Sequence, residues 1–208
     1  QPDENSDVWK SSLSVKDVAD SGKYYWYKVT ATNHNTAIGS FQIQITPAAL
    51  TVQQVPASFA KTYDGDDQLE TDLSGITIDG AQGSDSIGIT DVNGTYEDKK
   101  AGSGKKVTIH LTLSGVTEWG NYQYDGTPLT SGTITLEQGN GQIKPKPLTV
   151  ISGITATDRV YDGTQTVQLS GTPRFEGKVG TDDVAFQEVS GLTGSAASPD
   201  VGKQQVTV

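Results

Sequence analysis

The side chains of this sequence that could do chemistry fall into a few clusters. Two runs gather carboxylates, DGDDQLETD at 64–72 and GTDDV at 180–184. Two carboxyl groups facing each other across a cleft can hydrolyse a glycosidic bond, one as acid and the other as base or nucleophile. Asp64, Asp66 and Asp67 are also hard oxygen donors of the kind calcium takes. The loop does not follow the EF-hand order, however, with its glycine at the sixth place and glutamate at the twelfth. The second copy of the loop continues from Asp162 and Gly163 into Thr164 and Gln165, so the acid cluster is not repeated. Turns gather Asp for their own backbone hydrogen bonds, and that reading is preferred at both runs. The two histidines offer little. His34 lies in a TNHNT loop, and His110 alternates with Thr108 and Thr112 on the polar face of a strand. Neither has the neighbours that a Ser-His-Asp arrangement needs. Aromatic residues form one more cluster: YYWY at 24–27, with Trp9 and Trp119, could stack against sugar rings. In a strand Tyr24 and Trp26 face one way and Tyr25 and Tyr27 the other, and one of those faces must serve a core. Asn93-Gly94-Thr95 is a glycosylation sequon to which no role is assigned.

The elements that must carry these residues occur more than once. KTYDG stands at 61–65 and RVYDG at 159–163, so Tyr161 follows Tyr63 by 98 residues. At that offset ITPAALTV (45–52) faces IKPKPLTV (143–150). With small gaps DLSG (72–75) parallels QLSG (168–171), GSDSI (83–87) parallels GTDDV, and GKKVTI (104–109) parallels GKQQVTV (202–208). Self-similarity at a fixed spacing marks a repeat array, and a period near one hundred is the size of a small domain. The Tyr-Asp-Gly residues, Tyr63, Asp64, Gly65, Tyr161, Asp162 and Gly163, therefore read as architecture. Tyr ends a strand, while Asp and Gly make the turn after it. If φ is positive at Gly65, Gly65→Ala costs about 1 kcal/mol or more, measured by urea denaturation. Lys61 and Arg159 lie two residues before their Tyr, which predicts a stem packed on the ring.

The dominant hydrophobic period is two. FQIQITP at 41–47 puts Phe41, Ile43 and Ile45 on one face, and KVTIHLTL at 106–113 buries Val107, Ile109, Leu111 and Leu113. No segment carries a sustained 3.6-residue stripe. Short strands separated by Gly, Asp, Asn and Ser clusters predict an all-β chain of immunoglobulin-like or Greek-key sandwiches in tandem, forming an elongated array. Composition narrows function further. The net charge is −10 and no basic run exceeds two residues, which argues against a nucleic-acid partner. There is no cysteine, so disulfides and Cys-based metal or redox sites are excluded. No apolar run is long enough to cross a membrane as a helix. The absence of methionine, even at position 1, suggests a processed or excised piece of a longer protein.

Two resemblances sharpen this outline. SSLSVKDVADSGKYYWYKVTATN resembles the passage between the E and F strands of an immunoglobulin-like domain. In that likeness Asp20, Gly22 and Tyr24 match the tyrosine corner, Trp26 stands where antibody domains place their second Cys, and TAIGSFQIQITP is the closing strand. From residue 48 onward the order ALTV, KTYDG, GSD, GKKVTI, LSG, GNYQY and IKPKPLTV is similar to the YDG/MBG-type repeats of bacterial adhesin-like surface proteins. The resemblance implies three pieces: 1–47, the last strands of an immunoglobulin-like domain; 48–146, one complete repeat; and 147–208, the first part of another. Lys–Asn or Lys–Asp isopeptide bonds occur in similar stalk domains, with Lys106 or Lys178 as candidates here, though no motif selects either.

The expected function is that of a structural stalk or adhesin-type spacer at a bacterial cell surface or secreted, non-enzymatic and without a cofactor. The alternative is a β-sandwich module that binds a carbohydrate or a host protein. The expected partners are neighbouring repeats of the same chain. Head-to-tail self-association is also expected, through apolar faces and strand edges left open in the end pieces.

Overall fold

The computed structural model of the 208-residue chain describes residues 1–3, 9, 10, 12–185 and 191–208. Among these residues fourteen strands follow one another. They are β1 (Tyr24–Val29), β2 (Ala37–Gln42), β3 (Ala48–Gln53), β4 (Phe59–Thr62), β5 (Thr77–Asp79), β6 (Gly88–Tyr96) and β7 (Gly102–Ser114). Then come β8 (Tyr122–Tyr124), β9 (Thr127–Pro128), β10 (Thr133–Lys144), β11 (Thr149–Ala156), β12 (Thr166–Glu176), β13 (Thr193–Ala196) and β14 (Val206–Thr207). The only helical pieces among the described residues are the single 3-10 turns Val18–Asp20 and Trp119–Asn121. The fold is all-β and sandwich-like.

The chain divides into two compact units. Unit 1 holds Gln1–Lys61, Asp67–Asp98 and Ser103–Gln142, and unit 2 holds Thr62–Asp66, Lys99–Gly102 and Ile143–Val208. In the first repeat one sheet runs β4-β10-β7-β6 and another β5-β3-β8-β9. The period-two pattern explains the core. Along β7, Lys105, Val107, Ile109, Leu111 and Leu113 point inward, while Lys106, His110 and Thr112 point outward. Phe59 of β4, Tyr96 of β6, Ile134 and Leu136 of β10, Leu50 of β3 and Tyr122 of β8 are buried as well, as are Leu73, Ile76 and Ile143. β10 changes phase midway: Ile134 and Leu136 are buried, then Gly141 and Ile143, with Gly139 and Asn140 both facing out. The Asn140 side-chain amide there donates to the Ala57 carbonyl at 2.6 Å.

Residues 1–47, set apart by sequence, lie in unit 1. β1 and β2 form a two-stranded antiparallel sheet, Tyr24 opposite Gln42 and Val29 opposite Ala37. The turn before β1 is tied down by Asn121, whose side-chain oxygen accepts from the Val18 amide at 2.7 Å and whose nitrogen donates to Asp17 at 2.8 Å. The hydroxyl that bonds back to the Asp20 carbonyl, at 3.1 Å, is that of Tyr25 rather than Tyr24. Alternation along β1 explains this, because Tyr25 is half-buried while Tyr24, on the opposite face, is 64% exposed. Gly22 donates its amide to Ile43 within the same corner.

In unit 2 the sheet order is β11-β12-β13-β14. Its core is small: Val167, Leu169 and Ala196, packed by Ile154, Leu192 and Val206. Strand pairing repeats with the sequence. Thr51 and Val52 face Asp79 and Ile78 in the first repeat, and Thr149 and Val150 face Glu176 and Phe175 in the second. Likewise Thr95 and Tyr96 pair with Thr108 and Val107, and Ser195 and Ala196 pair with Thr207 and Val206.

Candidate functional site

The Tyr-Asp-Gly loops make the same turn twice. The Asp64 carboxylate accepts the Asp66 amide at 3.2 Å, and the Asp162 carboxylate accepts the Thr164 amide at 2.9 Å and its hydroxyl at 2.8 Å. Each is an Asx-turn, in which a side-chain oxygen takes the place of a backbone carbonyl. Gly65 and Gly163 sit at φ +98° and +78°, the left-handed region that the turn demands. A Cβ at position 65 would also lie 2.8 Å from a Val179 methyl, so the expected cost of Gly65→Ala stands on two grounds.

The basic residue of each pentad behaves otherwise than its spacing suggests. Lys61 lies by the Tyr96 ring. It points inward with Phe59 along β4, is 5% exposed, and holds its ammonium 6.0 Å from the Tyr96 ring. Tyr63 stands beyond the end of that strand, where the alternation no longer applies. Arg159 folds back on its own loop, its guanidinium bonding the Asp162 carboxylate and the Thr164 carbonyl, and Tyr161 is left 61% exposed.

The two carboxylate runs come together at Tyr63. Its hydroxyl donates to Asp182 of the GTDDV run at 3.1 Å, and the Asp64 charge acts on it as well. The hydrogen bond to Asp182 is the main cause that raises the Tyr63 pKa above its usual value, because losing the proton would break it. The aligned acid of the first repeat does the same work. Asp85 accepts from the Tyr122 hydroxyl at 2.7 Å, and that hydroxyl accepts the Gln82 amide at 3.0 Å. Burial first, and Asp85 second, raise the Tyr122 pKa. Both acids sit on matching turns, closed by Asp85 N–H to Gln82 and Asp182 N–H to Val179. A groove beside Tyr63 and Asp182 is lined by Lys100, Pro145, Leu148 and Lys178. What these carboxylates do in the structure is accept hydrogen bonds that fix turns and tyrosines.

Of the remaining candidates, Trp9 and Tyr24–Tyr27 line one groove with Phe41, and Trp119 and the histidines are not part of it. Tyr24 and Trp26 have ring centroids 6.4 Å apart with planes tilted by 37°, and Tyr25 and Tyr27 both lean on Phe41 at 6.0 and 6.5 Å. Trp9 lies under the Lys28 ammonium, whereas Trp119 sits in its own 3-10 turn against Gly132. His110 meets Thr135 at 3.2 Å on the exposed face of β7. Lys106 pairs with Glu137 at the surface. The enclosed lysine is its neighbour Lys105, which meets Asp98 at 2.7 Å and is in phase with Val107 and Ile109. That phase is visible in the sequence and singles out Lys105, as Phe59 singles out Lys61. Among the described residues no group of three His, Cys, Asp or Glu side chains is placed to hold a metal ion.

The family model of the YDG domain matches residues 46–131 and 144–208, well over half of the chain. The chain belongs to the YDG domain family. No curated protein and no solved structure matches it. In the second YDG copy the loop acid titrates with its turn. In the second copy the Thr164 amide, then the Thr164 hydroxyl and Arg159, hold the Asp162 carboxyl below the usual carboxylate range. A depressed folded-state pKa stabilises above the unfolded value and is lost as pH falls through the folded one. Carboxyl NMR titration is therefore expected to place Asp162 below the ordinary aspartate value, with the 159–164 loop loosening only at more acid pH. Asp162→Asn removes that dependence.

Proposed function

We propose that this YDG chain is a non-catalytic spacer, a stalk or adhesin-type repeat region of a bacterial surface or secreted protein. The observation that carries the reading is that the YDG pattern is matched twice, at 46–131 and 144–208, with little between copies. β10 ends at Lys144 and β11 starts at Thr149, so the join is four residues containing Pro145 and Pro147. Proline fixes φ and favours extended chain, which makes such a join stiff. Tyr63 and Asp182 bond beside this segment, and the groove next to them includes Pro145 and Leu148. Small-angle X-ray scattering over a concentration series tests this. An elongated, rigid profile that does not change with concentration is expected. A compact profile would overturn the spacer reading.

The second reading, a carbohydrate- or host-protein-binding module, rests on the exposed aromatics Tyr24, Trp26, Tyr27 and Phe41. The tilt between the Tyr24 and Trp26 planes gives a sugar ring no flat platform, so the spacer reading is preferred.

A further inference from the structure

Inside the first YDG match, two sheet edges flank one groove. β6 ends one sheet order and β5 ends the other, and a groove of about 570 Å³ is lined by both. Its aliphatic lining includes Ile76, which is buried, and Ile78, Ile87, Ile89 and Val92, which are half-buried. The pairing of β6 with β7 slips between Ile89 and Asp91, so Thr90 is the extra residue of a bulge. The bulge changes the phase of the strand. Ile89 and Val92, three residues apart, are both half-buried, while Thr90 and Asp91 between them are exposed.

The chain itself adds backbone to the outer edge of β6. Gln68 pairs antiparallel with Thr95, the Leu69 amide donates to the Gly94 carbonyl at 2.9 Å, and the Tyr96 amide donates to the Asp67 carbonyl at 2.8 Å. This short segment covers only the last residues of β6. Among the described residues no strand pairs with the same edge along 88–92. The charge there has one sign. Asp67–Asp98, which supplies the groove, both edges and the covering segment, carries eight of the 25 acidic residues and none of the 15 Lys and Arg. Asp91 lines the groove, and Asp79 is exposed at the end of β5. Asp72 adjoins Leu73 of the lining, and the Ser74 amide holds its carboxyl below the usual carboxylate range, so it stays ionised.

We propose that this groove docks an extended peptide of alternating aliphatic and basic residues, added as a strand along the 88–92 edge of β6. Backbone groups of that edge pair with the peptide, in line with the segment that already pairs with 94–96. Alternation sends the aliphatic side chains into the groove, against Ile78, Ile87, Ile89 and Val92. The basic side chains between them meet the acidic rim, which repels an acidic peptide of the same shape.

The probe is the synthetic peptide KVKIKVK, acetylated and amidated, titrated into the full chain by calorimetry at about 0.15 M salt, where attraction between distant charges is screened. Saturable one-to-one binding is expected, with slowed hydrogen exchange at the amides of 88–92. The equally charged KSKSKSK is expected to bind at least about tenfold more weakly, because it brings no aliphatic side chain to the groove. EVEIEVE is expected not to bind. An Asp91→Lys chain is expected to bind KVKIKVK about fivefold more weakly. That change alters an exposed side chain, and an unchanged tryptophan-reported urea transition confirms that unit 1 stays folded. Failure to saturate, equal binding of KSKSKSK, unchanged affinity in Asp91→Lys, or protection away from the groove would overturn the assignment. Self-association of the chain alone that protects 88–92 would make a second copy the occupant and overturn it too.

Discussion

Ile109→Ala is expected to lower the stability of unit 1 by about 2–5 kcal/mol, the range for removing a large aliphatic side chain from a well-packed core. Ile109 is 0% exposed and sits midway along β7, which has β6 on one side and β10 on the other. Val107 and Leu111, its neighbours in phase, are also 0% exposed. Strands held on both edges cannot close readily over a lost side chain, so the cavity persists and the upper half of the range applies. The adjacent His110→Ala is the control. His110 points outward to Thr135, and its removal is expected to change stability by no more than about 0.5 kcal/mol. All three tryptophans, Trp9, Trp26 and Trp119, belong to unit 1, so tryptophan fluorescence in urea reads this unit by itself. Equal effects at 109 and 110 would mean that the period-two reading of β7 is wrong.

That period is the most legible feature of the sequence. Hydrophobic alternation is enforced by the pleat itself, so the residue types of KVTIHLTL are enough to specify both its strand and its buried face. The Tyr-Asp-Gly turns are legible for a similar reason. An Asx-turn followed by a residue at positive φ needs only local chemistry, and Asp64-Gly65 and Asp162-Gly163 carry all of it. Contacts decided by tertiary placement are not legible. Lys61 and Arg159 occupy equivalent positions, yet one turns into a core beside Tyr96 and the other closes its own loop. β4 holds Lys61 in a sheet, whereas no strand holds Arg159. Tyr63 and Tyr161 part in the same way, one bonded to Asp182 and the other largely exposed. Nor does spacing show which tyrosine closes the corner before β1, since Asp-x-Gly-x-Tyr and Asp-x-Gly-x-x-Tyr both fit the sequence there.

A single substitution separates motif from placement most sharply. Gly171→Ala is expected to unfold or severely loosen unit 2, while Gly75→Ala, at the matching place in the first repeat, is nearly silent. Both glycines end a Leu-Ser-Gly triplet, at 73–75 and 169–171. Gly75 lies in a loop whose Ser74 amide bonds Asp72, and a Cβ there would meet nothing nearer than Gln54 at 3.9 Å. Gly171 lies inside β12, opposite β11, where the pairing slips between Ser152–Arg174 and Ile154–Gly171. It has φ +115°, and a Cβ would sit 2.0 Å from the Gly153 carbonyl oxygen. Gly153 answers it across the ladder, with φ +96° and a Cβ position 2.0 Å from the Thr172 carbonyl oxygen. The obstacles are backbone atoms of a paired strand, so they yield only if the ladder itself moves. Left-handed strain for a residue with a Cβ is roughly 1–2 kcal/mol, and forcing atoms into a filled site adds about 1–3 kcal/mol. The core beneath, built on Val167, Leu169 and Ala196, is small and has little stability to set against such a loss. Hydrogen exchange at β11–β13 amides is expected to accelerate in Gly171→Ala while the tryptophan-reported transition of unit 1 stays in place. Matching exchange in Gly171→Ala and Gly75→Ala would mean that the slip in the β11–β12 ladder is not fixed by the glycine pair.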